Sequence, residues 1–182
     1  MKAKTLLLIA LSSLLVVGCK KSEENNEPTS PEPSFTKITE DQLKSYFPYT
    51  VGDEYIFRCE VGVEDRIFRV ADYSFTNKAG KMTVDVSLIG RERYSSDDEF
   101  LSIDLKAEVT DNKILKMSSE YDYIIYMPVG TKVLGTYTYD ASKNDCLPAK
   151  ISLSDVATIK KDIGLSYYVD DVGYQFYFLK RK

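Results

Sequence analysis

With no histidine among 182 residues, the chain lacks the side chain that most often serves as general base, nucleophile activator or zinc ligand. Neither Ser-His nor Cys-His nucleophilic pairs can be assembled. The remaining candidates for chemistry are 28 carboxylates and three cysteines. An all-carboxylate metal site would need ordered spacing. Neither Asp97-Asp98-Glu99 nor the stretch from Asp140 to Asp145 has the Asp-x-Asn/Asp-x-Asn/Asp-Gly order of a calcium loop, so both are expected to be solvated turns. Glycoside hydrolysis needs two carboxylates about 5 to 10 Å apart across a cleft, and nothing in the order of the acidic residues selects such a pair. There is no Gly-rich phosphate loop and no dinucleotide fingerprint. The sequence therefore assigns no catalytic residue, no cofactor and no metal ligand. It points to a protein that is not an enzyme, with a carboxylate-dependent hydrolase as a distant alternative.

Cys59 and Cys146 can form a disulfide if the chain is exported to an oxidising compartment. Cys59 shares the apolar phase of Tyr55, Phe57 and Val61, which points it inward, whereas Cys146 lies beside a turn. A bridge closing so long a loop would contribute about 4 to 5 kcal/mol in the chain-entropy account. The other reading of Cys59 is a buried free thiol. Fourteen tyrosines raise a separate possibility of chemistry, since aromatic faces stack on sugar rings while hydroxyls bond at the rim. Tyrosine is also favoured in strands and at the margins of β cores. If a tyrosine cluster is exposed, Tyr121, Tyr123 and Tyr126, or Tyr137 and Tyr139, are the expected ones.

Cys19 has a different context. Lys2 and Lys4 precede an apolar run from Thr5 to Val17, too short for a bilayer span of ~20 residues and arranged like a signal peptide. The run closes with Val16-Val17-Gly18-Cys19, which resembles the lipobox of bacterial lipoproteins. The resemblance implies cleavage after residue 18 and lipidation of Cys19, and several acyl chains on that cysteine would anchor the protein stably to a membrane. Lys20-Lys21-Ser22-Glu23-Glu24, with Glu27 nearby, resembles the acidic export signal of surface lipoproteins of the Bacteroidota. It implies the outer membrane, facing either the cell surface or the periplasm. Loss of residues 1–18 would leave 22 basic and 28 acidic residues, a net charge of −6, which disfavours nucleic acid as a partner.

Residues 19–34 read as the lipidated cysteine and a disordered acidic, Pro-rich tether, because Ser22 to Ser34 offers no apolar side chain to bury. At ~3.1 Å per residue such a segment would reach about 40 Å. Residues 35–182 then suffice for one domain with a core. Thr39-Glu40-Asp41-Gln42 has the form of a capping box, with Ile38 and Leu43 as its hydrophobic staple. It predicts a short helix from Glu40 to Tyr46, ended by Pro48. From Gly52 onward the period is two. Met82 to Leu88 and Leu101 to Val109 alternate cleanly between apolar and polar. Further strands are expected over Glu54–Val61, Arg66–Phe75, Lys113–Lys116, Tyr121–Met127, Lys132–Tyr139, Ala149–Leu153, Leu165–Val169 and Tyr174–Leu179. Turn signals at Asn77-Lys78-Ala79-Gly80, Asp111-Asn112, Ser142-Lys143-Asn144-Asp145 and Asp170-Asp171-Val172-Gly173 separate them. Asp155–Ile163 could be a helix capped by Ser154, but its valine, threonine and isoleucine favour a strand. Lys180-Arg181-Lys182 reads as a frayed end. The expected fold is mainly β: a curved antiparallel sheet, half barrel or open barrel, with one short N-terminal helix.

Tyr46-Phe47-Pro48-Tyr49-Thr50-Val51-Gly52-Asp53-Glu54-Tyr55, Met127-Pro128-Val129-Gly130 and Ile163-Gly164-Leu165-Ser166-Tyr167-Tyr168 resemble markers of small Bacteroidota lipoproteins of unassigned function. Their domains resemble the lipoprotein-carrier fold, a half barrel around helical or loop segments. The resemblance transfers no catalytic residue. It implies a non-catalytic binding or accessory domain whose concave face shelters an apolar ligand, unless the protein's own Tyr and Phe side chains fill that concavity. An envelope protein partner, or a surface adhesin or glycan-binding role through exposed tyrosines, is the alternative.

Overall fold

The computed structural model describes residues 37–62, 64–92, 101–123, 132–144, 146–170 and 172–182. The signal peptide, Cys19, the tether, Asp97-Asp98-Glu99 and Met127-Pro128-Val129-Gly130 lie outside the described residues. The chain divides into two units, and the second, Pro33–Lys182, contains every described residue.

Helix α1 (Glu40–Ser45) forms as its capping signature requires. The Thr39 hydroxyl accepts from the Gln42 N–H at 3.2 Å, and the Gln42 side chain accepts from the Thr39 N–H at 2.8 Å. Two donors that the first turn leaves unpaired are thereby satisfied. Ile38 and Leu43, the staple pair, are both buried.

Ten strands follow: β1 (Glu54–Cys59), β2 (Arg66–Lys78), β3 (Lys81–Glu92), β4 (Leu101–Thr110), β5 (Ile114–Tyr123), β6 (Lys132–Asp140), β7 (Lys150–Leu153), β8 (Ala157–Lys160), β9 (Gly164–Val169) and β10 (Gln175–Arg181). They make a single sheet in the order β6-β5-β4-β3-β2-β1-β10-β9-β8-β7. Every pair is antiparallel. The first and last strands are neighbours, the edges are β6 and β7, and the sheet is nearly closed into a barrel. The fold is therefore mainly β with one short N-terminal helix, as the alternation implied.

In β3 and β4 the alternating apolar residues face inward in register, with Val84 opposite Ala107, Val86 opposite Leu105 and Leu88 opposite Ile103. A slip of one residue would turn both sets outward, so this pairing is strongly specified. The other half of the interior is aromatic. Phe57 meets Phe68 and Tyr168 edge-on at 5.8 and 5.4 Å, and Tyr168 stacks on Phe176 at 5.0 Å. Each such side chain contributes ~1.5 to 3 kcal/mol by burial. A continuous cluster of buried side chains occupies the concavity.

Three expectations are corrected. Lys113–Lys116 and Tyr121–Met127 do not form separate strands: Ile114–Tyr123 is one strand, because β4 pairs with it without interruption from Thr110 opposite Ile114 to Leu101 opposite Tyr123. The polar Ser118-Ser119-Glu120 is carried through on that ladder. Strand β1 stops at Cys59, leaving Val61 in a turn and 68% exposed. The C-terminus is not frayed, since Arg181 belongs to β10 and Lys182 exchanges two backbone hydrogen bonds with Glu54, at 3.3 and 2.9 Å. The ambiguous Asp155–Ile163 stretch contains the strand β8.

A meander places the β2–β3, β4–β5, β6–β7 and β8–β9 connections at one end of the sheet, and α1 with its flanks is bonded to these turns. The Ile38 N–H donates to Asn112 O and the Asp162 N–H to Ser45 O, each at 2.6 Å. The Tyr46 hydroxyl donates to Pro148 O. Tyr49 accepts from the Leu165 N–H at 2.7 Å. That approach depends on Gly164 (φ +84°), where a Cβ would lie 2.4 Å from the Tyr49 hydroxyl. The helix thus caps this end. The seam between β6 and β7 depends on another glycine. Gly135 (φ +147°) brings β6 so close to β7 that a Cβ would sit 2.1 Å from the Leu153 carbonyl oxygen.

Candidate binding groove

The outward faces of β7 to β10 form an open groove of about 530 Å³. Its floor is a row of side chains aligned by strand register. Ser152 on β7 opposes Thr158 on β8, Thr158 opposes Tyr167 on β9, and Tyr167 opposes Tyr177 on β10. The two tyrosine rings lie 5.0 Å apart, tilted by 45°. Tyr177 is 42% exposed. Two residue pairs further along the ladder, and so on the same face, Lys150 opposes Lys160, and both also line the groove.

Both phenols are held above the usual tyrosine range. For Tyr167 the cause is desolvation, reinforced by the charges of Glu60 and Asp155; for Tyr177 it is desolvation, then the Glu60 charge and Tyr167. The Tyr177 hydroxyl donates to Gln175 Oε1 at 2.8 Å and reaches Glu60 Oε2 at 3.5 Å. Both hydroxyls therefore remain protonated donors at neutral pH. Ser166 donates to Thr158 O at 3.1 Å, which ties its hydroxyl to the groove wall. Chemically, the groove offers an aromatic surface, a line of hydroxyls and two ammonium groups.

A second groove, of about 450 Å³, lies on the wet face of β3 to β6. Its charges are matched across strands, with Asp85 opposite Lys106 and Glu108 opposite Lys116. Lys81 also reaches Glu108 at 2.8 Å, and this bond lowers the Glu108 pKa. This surface satisfies itself.

A buried ionic cluster occupies the interior where β2, β5, β9 and β10 converge. Arg66 pairs with Asp170 at 2.9 Å, and the two side chains are 4% and 0% exposed. Arg66 also donates to the Tyr121 hydroxyl at 3.1 Å, and its guanidinium lies 4.1 Å from the Phe176 ring centre. Asp170 Oδ1 accepts the N–H groups of Val172, Gly173 and Tyr174 at 3.1, 2.9 and 2.8 Å. With its partners inside the fold, this cluster is structural.

The cysteines and tyrosines singled out from the sequence are placed differently. Cys59 points inward as its phase implied, 2% exposed, but it is a free thiol, so the Cys59–Cys146 bridge is not formed. Cys59 sits in the aromatic interior of β1 while Cys146 is half-buried in the β6–β7 connection. Tyr121 and Tyr139 are not exposed: Tyr121 is buried against Arg66 and Tyr139 is 5% exposed. Tyr137 is half-buried, with its phenol shifted up by desolvation. Tyr126 and the side chain of Tyr123 are outside the described residues. The groove tyrosines Tyr167 and Tyr177 were missed. The signal was the adjacent pair Tyr167-Tyr168, since neighbours on a strand face opposite sides and one ring must point out.

Among the described residues no group of three or more Cys, Asp or Glu could hold a metal ion, and no helix is long and apolar enough to cross a membrane. Asp140 is a turn acceptor, taking the Ser142 N–H at 2.9 Å and the Ser142 hydroxyl at 2.6 Å. Comparison with family models, curated proteins and solved structures gave no match.

Proposed function

We propose that this chain is a non-catalytic binding protein of a bacterial cell envelope, tethered to the outer membrane by lipid on Cys19, that holds a sugar-bearing ligand in the groove of β7 to β10. The observation that carries the reading is the Tyr167–Tyr177 surface, bordered by hydroxyls and open to solvent. Aromatic faces with hydroxyls at the rim suit the alternating apolar and polar faces of a pyranose. The same groove would serve a surface adhesin or an accessory subunit. An apolar ligand inside the sheet is less well supported, because the protein's own side chains fill the concavity.

The test is saccharide binding by the full-length protein in mild detergent, screened on an oligosaccharide array and quantified by calorimetry. Tyr177→Ala should weaken binding about 5- to 10-fold, the equivalent of ~1 kcal/mol of aromatic contact, without altering the circular dichroism spectrum. Absence of any saccharide binding, or unchanged affinity in Tyr177→Ala, would overturn the reading.

A further inference from the structure

Resting on that reading of the groove, we propose that its ligand is an acidic saccharide whose carboxylate or sulfate group sits between Lys150 and Lys160. The register of β7 and β8 places these two lysines directly opposite each other. Like charges in that relation, with Cβ atoms ~5 Å apart, destabilise a sheet. Neither ammonium has an ion-pair partner among the described residues, although Asp155 lines the same groove.

The sheet's other like-charged pairs have a different setting. Lys78 opposes Lys81 beside a tight turn, and Lys81 is bonded to Glu108 at 2.8 Å. Asp104 opposes Glu120 on the wet face of β4 and β5, and neither residue lines either of the two grooves described above. Among the described residues, it is in the β7 to β10 groove that opposed like charges without an ion-pair partner meet an aromatic pair, exposed Tyr177 and half-buried Tyr167, and a line of hydroxyls. An anionic group between the ammoniums would relieve their repulsion while the sugar ring lies along the tyrosines. The chain as a whole is acidic, with a net charge of −4. Attraction to an anion must therefore be local to the lysine pair, and it should be screened by salt.

The experiment is calorimetry on full-length protein in mild detergent, with three matched oligosaccharides: uronate-bearing, sulfate-bearing, and the uronate compound after reduction of its carboxyl groups. The wild type should bind at least one acidic form about tenfold more tightly than the neutral one, and the preference should shrink as salt is raised. The double variant Lys150→Gln/Lys160→Gln, at two exposed positions, should lose the preference and bind the acidic and neutral forms with similar affinity. Equal wild-type affinity for acidic and neutral forms, or a preference that survives in the double variant, would overturn the inference. If neutral binding then still depends on Tyr177, the groove reading stands without it. If no saccharide binds, both fail together.

Discussion

At the scale of single residues, the most consequential choice in this protein is to bury an arginine. Taking a guanidinium and a carboxylate out of water costs several kcal/mol per ion, and their attraction offsets that only if the remaining donors and acceptors are also satisfied. Here they are, because Arg66 bonds Asp170 and the Tyr121 hydroxyl while Asp170 Oδ1 takes three backbone N–H groups. The pair fixes the β9–β10 turn to the interior of β2. Arg66→Met, similar in length and apolar, should lower unfolding stability by about 3 to 5 kcal/mol, mostly because the buried Asp170 carboxylate loses the Arg66 guanidinium. Adding Asp170→Asn should recover at least half of that loss, since the amide oxygen still accepts from the turn. Urea denaturation of the two variants separates the causes. A double variant no more stable than the single one would assign the effect to lost packing around Phe176.

At the scale of elements, the barrel depends on how its edges meet. Strands β6 and β7 share no ladder, and they approach only because Gly135 has neither a side chain nor a φ that other residues adopt easily. Gly135→Ala should cost about 1 to 3 kcal/mol through overpacking and raise amide exchange specifically in β6 and β7; uniform exchange across the sheet would show that the seam is not a separate weak point. Elements set by local chemistry could be read in the sequence. The capping box gives α1, and strict alternation gives β3 and β4 with their buried faces. What stayed hidden depends on partners distant in the chain. Strand β5 looked broken at Ser118-Ser119-Glu120 until its pairing with β4 is known. The groove was hidden by an irregularity. Leu165 and Tyr168 are both buried although three positions apart, because a bulge in the β8–β9 pairing reverses the phase. Strict alternation from Leu165 would have put Tyr167 inside and Tyr168 outside. The lysine pair was equally invisible, since Lys150 and Lys160 become neighbours only through the β7–β8 register.

At the scale of the whole molecule, a sheet that nearly closes leaves open ends, and α1 with its flanks covers one of them using two buried phenols. Tyr46 is bonded to Pro148 and Tyr49 to Leu165. Burial raises both pKa values, that of Tyr46 to about 12. The unfolded chain loses its tyrosine protons near pH ~10, so between about pH 10 and 12 it binds fewer protons than the native state. Stability must then fall as pH rises. The contribution is fully present below the unfolded value and is lost through the folded one. For Tyr46 alone the loss is on the order of 2 to 3 kcal/mol. Thermal melts of the full chain from about pH 8 to 12 should show a decline beginning near pH ~10, and Tyr46→Phe should flatten part of it while losing some stability at neutral pH from the missing hydrogen bond. Parallel declines in the two proteins would mean that the Tyr46 phenolate is tolerated, and that the capped end opens before the barrel unfolds.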